Sequence, residues 1–377
     1  VGVTVSAPGR TEIGGNHTDH QRGSALAAAV GIDVRCDAAP NGGDVINLVS
    51  EGHGSCAVDL REPGPRPDER GRSAALIRGV AAWFARSGYQ IGGFDARVSS
   101  RVPEGAGLSS SAAFEVAVGG VLSHLFNGGR VRPEHLALAG QYAENVYFGK
   151  PSGLMDQMAS AVGGCVLMDF ADPEKPVLTP VAFDPGKHGY ALCVTDTKSS
   201  HAGLTAHYAA ITGEMRAVAE YFGVKYLSEV DAAAFNAEIP RLRAVTGDRA
   251  VLRAMHFFGE DARVKKQAAA LSRGDMDEFL KLVNESGRSS AMLLQNIYAG
   301  PGEQGVALAL ALSGRALAGT YGARRVHGGG FAGAVQAYVP CDLLPRYRDA
   351  IDAVFGAGSC LELRVRKEGC VAAEIKG

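Results

Sequence analysis

Val102-Pro103-Glu104-Gly105-Ala106-Gly107-Leu108-Ser109-Ser110-Ser111-Ala112-Ala113 follows an alternating apolar run, Phe94 to Val98, and precedes apolar residues at helical spacing from Ala112 to Phe126. The stretch therefore reads as a strand, a tight glycine loop and a helix N-terminus. Gly105 and Gly107 permit positive φ and close backbone approach, and the three serines are expected to cap the helix and add hydroxyls beside its unpaired N–H groups. Those N–H groups and the helix dipole favour an anion, phosphate above all. A glycine-serine connection that binds nothing has the same local form, so the loop alone leaves both readings open. It is not of the Walker kind, because no Gly-x-x-x-x-Gly-Lys-Ser/Thr occurs in the chain.

A chain of 377 residues with 46% hydrophobic content has material for two domains, each with its own core. Acidic and basic residues nearly balance, 40 against 38, which leaves no electrostatic footprint for nucleic acid or an anionic membrane. The expected partner is a small molecule, and the expected assembly a monomer or weak homo-oligomer. Cysteines at 36, 56, 165, 193, 341, 360 and 370 form no Cys-x-x-Cys pair, a pattern that suits a reducing cytosol and argues against a zinc ribbon. No apolar run approaches the roughly 18 residues that span a bilayer, so a cytoplasmic location is expected. The chain enters its first strand directly at Val1, and a preceding segment is expected.

Val1 to Ser6 reads as a strand running into a turn at Ala7-Pro8-Gly9. The polar run Arg10-Thr11-Glu12-Ile13-Gly14-Gly15-Asn16-His17-Thr18-Asp19-His20-Gln21 comes next. Such density of donors and acceptors beside glycines suits a pocket wall that recognises several hydroxyls, a solvated loop being the plain alternative. His17-x-x-His20 with Asp19 has the spacing of a metal cluster, but no other His-rich segment supplies the remaining ligands. Further on, Glu144 lies in a helical stretch ending near Gly149, Asp156 opens a helix, and a helix from His201 to Phe222 carries Tyr208. Residues 328 to 333 satisfy Gly-x-Gly-x-x-Gly, yet Val335 to Val339 reads as a strand where a dinucleotide site needs a helix.

Together these segments resemble the galactokinase family of the GHMP small-molecule kinases. Pro103-x-Gly105-x-Gly107-Leu108-Ser109-Ser110-Ser111-Ala112 is similar to that family's nucleotide-phosphate loop, Pro8-Gly9-Arg10 through His17-Thr18-Asp19 to its sugar signature, and Gly153-Leu154-Met155-Asp156-Gln157 to its catalytic segment. Two positions depart: the family glutamate is Asn16 here and the family tyrosine is His20.

The resemblance implies an α+β fold, with an N-terminal domain like the second domain of ribosomal protein S5 (1–187) and a C-terminal ferredoxin-like domain (188–377) containing the glycine motif 328–334. It implies ATP on Gly105, Ala106, Gly107, Leu108, Ser109, Ser110 and Ser111, and Mg²⁺ on Ser111 and Glu144. Asp156 would be the base, Arg10 would stabilise the transferring phosphoryl group, and Asn16, His17, Thr18, Asp19 and Tyr208 would meet the sugar. The implied reaction is ATP-dependent phosphorylation of galactose at its anomeric hydroxyl. Alternatives are an anomeric kinase for N-acetylgalactosamine, galacturonate or arabinose, and a non-catalytic sugar and ATP sensor on the same fold.

Overall fold

The computed structural model describes residues 2–103, 105–199 and 203–375. Glu104 of the glycine loop and His201, the expected helix start, lie outside the described residues.

In chain order, the first half comprises β1 (Gly2–Gly14), β2 (Ser24–Pro40), β3 (Val45–Ser50), β4 (Gly54–Asp59), α1 (Ser73–Arg86), β5 (Phe94–Ser100), α2 (Ser110–Asn127), α3 (Pro133–Tyr142), α4 (Met155–Val162), β6 (Cys165–Asp169) and β7 (Val177–Val181). The second half comprises β8 (Tyr190–Asp196), α5 (Thr205–Tyr221), α6 (Ala232–Thr246), α7 (Asp248–Ser272), α8 (Met276–Ser289), α9 (Gly305–Ala316), β9 (Ala323–His327), β10 (Ala334–Pro340), α10 (Leu344–Phe355), β11 (Cys360–Leu363) and β12 (Val371–Ile375). Among the described residues these strands form an eight-stranded sheet, with the path β12-β1-β2-β5-β3-β4 and with β6 and β7 extending from β2, and a four-stranded sheet ordered β11-β8-β10-β9. Only the β3–β5 pairing in these sheets is parallel. The mixed α+β class is as the sequence implied.

The first strand differs from its reading. It does not turn at Ala7-Pro8-Gly9 but continues to Gly14, with register shifts between Pro8 and Arg10 and between Glu12 and Gly14. Proline has no N–H to give the ladder, so a bulge at this point lets pairing resume beyond it. Gly9 permits the glycine loop to dock there: a Cβ would lie 3.0 Å from the Leu108 carbonyl, and Arg10 N donates to that carbonyl at 3.1 Å. The bulged strand thus carries Arg10 and Glu12 into the interior, and the turn after it carries Asn16; all three are buried.

Helix α2 packs on the first sheet through Ala113, Val116, Ala117 and Val121, which lie in one core with Val5, Leu26 and Val34. Two turns of π-helix interrupt the helical regularity, at Ala143–Phe148 and at Ser290–Leu294. The chain then returns to the first sheet at its end, β12 pairing antiparallel with β1. That return is anchored by Gly164 N donating to Arg366 O at 2.9 Å and Cys370 N to Ala161 O at 3.1 Å.

Gly163 is the tightest point of this junction. It has φ of +82° and a Cβ there would lie 2.1 Å from Gly369 N, a backbone atom that cannot step aside. Gly163→Ala combines left-handed strain with a backbone clash and is expected to lower unfolding free energy by about 3 kcal/mol or more; urea denaturation measures this, and a midpoint near wild type would show that the tail docks independently of the 163–164 turn.

Candidate active site

Arg10 joins three segments. Its Nε and Nη2 donate to Asp156 Oδ1 and Oδ2 at 2.7 and 2.8 Å, and Nη1 donates to Gly107 O at 2.5 Å. A planar guanidinium meeting a carboxylate through two parallel bonds fixes orientation as well as distance. Arg10 keeps only 6% of its side-chain surface whereas Asp156 keeps 33%, so the carboxylate is the member of the pair that remains reachable.

Ser109 does not cap α2. It sits at the N-cap position with φ of +58° and makes no capping bond; its hydroxyl donates instead to Asp156 Oδ2 through a short contact. Burial alone would raise the Asp156 pKa, but the Arg10 charge and the bonds from Arg10 and Ser109 bring it below the ordinary carboxylate value. Asp156, in the first turn of α4, is therefore ionised at neutral pH while beside the glycine loop.

Glu144 sits on the π-turn following α3, where the wider winding is marked by Gly149 N donating to Glu144 O. Its Oε1 accepts from Ser111 Oγ at 3.4 Å and Lys150 Nζ at 2.8 Å, and Oε2 accepts from Gln157 Nε2 at 3.0 Å. One carboxylate and one hydroxyl facing each other beside the glycine loop are hard oxygen donors that suit Mg²⁺ sharing its shell with phosphates. Among the described residues no three His, Cys, Asp or Glu side chains form a metal-binding group, and His17 and His20 instead meet edge to face with centroids 5.5 Å apart.

The polar signature divides by exposure. Asn16 is fully buried, and Thr18 Oγ1 donates to the carbonyls of Gly15 and Ser24 at 2.8 and 2.6 Å, shaping the loop from inside. His17, Asp19 and His20 are partly exposed. Burial lowers the pKa of both histidines, that of His20 to about 3, so neither carries charge at neutral pH. Burial, and then the nearby Asp156 charge, raise Asp19 to about 6. Gly153 lets Asp19 in, since a Cβ there would overlap its carboxylate. Tyr208 Oη donates to Gly330 O at 2.9 Å, placing that ring against the glycine turn of the second half.

Several members were not singled out from sequence. Gln157 Nε2 bridges the carboxylates of Glu115 and Glu144, at 2.9 and 3.0 Å. Glu12 pairs with the fully buried Arg325, and its backbone N–H donates to His327 Nε2 at 3.2 Å. Because a backbone amide can only donate, His327 Nε2 must accept, which leaves its proton on Nδ1. The available signal was Glu12 in a glycine-rich run and Glu115 one turn beyond Ser111 on an apolar helix.

A glycine loop, an arginine-held carboxylate and a serine–glutamate oxygen pair, arranged on this two-sheet scaffold, point to a small-molecule kinase of the GHMP class. The family model for the GHMP kinases N terminal domain matches residues 75–164, and the galactokinase galactose-binding signature matches residues 2–40. The structure is similar to that of Lactococcus lactis galactokinase complexed with galactose, with 26% identity, 98% of this chain and 95% of that chain covered, and a TM-score of 0.85. The same fold recurs in a D-glycero-D-manno-heptose 1-phosphate kinase from Bacteroides thetaiotaomicron (16% identity, 100% of both chains, TM-score 0.67) and in Methanococcus jannaschii mevalonate kinase (14% identity, 96% and 98%, TM-score 0.67). The chain carries a GHMP kinase N-terminal domain and the galactokinase galactose-binding signature, and it is a phosphotransferase that acts on a sugar hydroxyl. No helix among the described residues is long and apolar enough to cross a membrane.

Asp19 gives a stability test with a definite sign. A carboxyl whose folded pKa is raised to about 6 costs the folded state stability as pH rises from the usual carboxylate range, about 4, through that value. Asp19→Asn is therefore expected to raise the melting temperature more at about pH 7.5 than at about pH 4.5, and an equal shift at both pH values would show that Asp19 is not strained by its neighbours.

Proposed function

We propose that the chain transfers the γ-phosphoryl group of ATP to the anomeric hydroxyl of galactose, giving galactose 1-phosphate and ADP. The observation that carries this reading is Asp156, ionised and bonded at once to Arg10 and to Ser109 of the glycine loop. In this reading the backbone of 105–111 holds the nucleotide phosphates, with Ser109, Ser110 and Ser111 at its helix end. Asp156 accepts the proton of the C1 hydroxyl as that oxygen attacks phosphorus, and Arg10 offsets the negative charge that develops on the transferring group. Ser111 and Glu144 would hold Mg²⁺, which supplies charge neutralisation to the phosphates when bound; Lys150 would yield Glu144 Oε1 to it. Positioning and electrostatics carry most of such a transfer, a placed base adding roughly 10²- to 10⁴-fold.

His17, Asp19 and Tyr208 are the proposed sugar contacts, with Asn16 and Thr18 shaping the loop from behind. The sugar side favours a neutral hexose over a uronic acid. Its partly exposed groups are the carboxylates of Asp19 and Asp156 and two uncharged imidazoles, while the guanidinium of Arg10 is already committed to Asp156 and Gly107. A sugar carboxylate beside Asp19 and Asp156 would meet like charge. A non-catalytic sensor has no need of an ionised carboxylate held against the glycine loop, which makes that reading the weaker one.

ADP release with galactose tests the function directly. Asp156→Asn is expected to bind ATP as wild type does while turnover falls by roughly 10²-fold or more; undiminished turnover would remove Asp156 from the chemistry. Arg10→Gln takes away the charge that opposes burial at Asp156, so that carboxyl should titrate higher. The acid limb of kcat/KM is expected to move to higher pH in this variant, and an unmoved limb would mean that another group sets it.

A further inference from the structure

Three consecutive glycine carbonyls are each held by a side chain. Asn16 Nδ2 donates to Gly328 O at 2.7 Å, Asn296 Nδ2 and His17 Nε2 donate to Gly329 O at 3.2 and 3.0 Å, and Tyr208 Oη donates to Gly330 O at 2.9 Å. No side chain on the turn itself could do this work, because the space is taken: a Cβ on Gly329 would lie 2.8 Å from the Tyr208 ring and one on Gly330 2.2 Å from Asn296 O. The turn also reaches the reacting groups, a Cβ on Gly328 falling 3.8 Å from Gly107 O and 3.9 Å from Arg10 Nη2.

Asn16 is the hub of this arrangement. Besides Gly328 O, its amide donates to Glu12 Oε1 at 2.9 Å, and its Oδ1 accepts from Asn296 Nδ2 at 2.9 Å and Ser290 Oγ at 3.3 Å. Both donor and both acceptor positions are filled, and none of the residue is exposed. Glu12 is fixed in turn by buried Arg325. A carboxylate at position 16 could donate to neither Gly328 O nor Glu12, and it would set a second negative charge against the first.

We propose that Asn16 is a positioning residue of the acceptor site rather than a sugar contact: its amide ties the Glu12–Arg325 pair to the glycine turn 328–330 and so fixes the surface on which the sugar rests beside Arg10. The carboxylate that the related signature carries at position 16 is in this chain one hydrogen bond further back, at Glu12, and is spent on Arg325. Selectivity on this side of the pocket is then set by an uncharged, backbone-lined wall. The inference rests on the sugar-kinase reading given above.

Two folded-protein variants test it through steady-state kinetics with galactose and ATP. Asn16→Asp keeps shape but removes both donors, and Asn296→Ala removes the bonds to Asn16 Oδ1 and Gly329 O without adding charge. Each is expected to raise the galactose KM by about tenfold, the scale of losing buried hydrogen bonds, while the ATP KM stays within about twofold. An unchanged galactose KM in either folded variant, or an ATP KM that rises in step, overturns the proposal. Thermal melting identifies a variant that does not fold, in which case the other decides; loss of folding in both also overturns it, because a role confined to the acceptor side leaves both cores intact. Wild type separates the two questions. If it transfers no phosphate to galactose, the substrate reading fails, and the variants are compared on whichever sugar of a hexose panel it does phosphorylate.

Discussion

A buried charge is tolerated only where something opposite or polar answers it, and the end of strand β1 with the turn after it brings two charges and an amide into the interior within seven residues. Arg10 is answered by Asp156 and the Gly107 carbonyl, Glu12 by Arg325, and Asn16 by Glu12, Gly328, Asn296 and Ser290. Apart from the Glu12–Asn16 bond, each answer comes from a distant part of the chain. Satisfying this one stretch, Arg10 to Asn16, therefore brings together the glycine loop, helix α4 and the glycine turn between β9 and β10.

The same pairing sets the protonation states that the proposed chemistry needs. Asp156 and Asp19 are close enough to influence each other, yet one is driven below the ordinary carboxylate pKa and the other up to about 6. Geometry makes the difference: Arg10 meets Asp156 with two bonds, whereas Asp19 has backbone amides and only a distant share of that charge. His327, near Arg10 and Arg325, is held neutral by burial and by those two cations. A neutral ring can accept from Glu12 N where an imidazolium could not.

Irregular backbone appears where side chains must be aimed. The π-turn at Ala143–Phe148 carries Glu144 toward Ser111, and the one at Ser290–Leu294 carries Ser290 toward Asn16. Ser109 and His17, both with positive φ, reach Asp156 and the Gly329 carbonyl. Residues in that region are uncommon without a compensating constraint, and here each has one, a bond to the site.

Local sequence was sufficient for the glycine loop and helix around 102–126 with the strand before them, and for the strand after the glycine motif at 328–333, because turn chemistry, periodicity and short motifs are properties of neighbouring residues. It was misleading at Pro8-Gly9, where the strand bulges and continues because a distant loop docks on it, and at Ser109, where a distant carboxylate outcompetes helix capping. Asn16 and Thr18 stand beside His17 and Asp19 in the chain, yet two are enclosed and two lie partly open, a division decided by which partners the second half of the fold delivers. The amino-acid order thus determined which chemical groups this protein owns and how its short segments bend; which of those groups are enclosed and which stay open was left to tertiary packing, since burial and long-range hydrogen bonding depend on contacts between residues hundreds of positions apart.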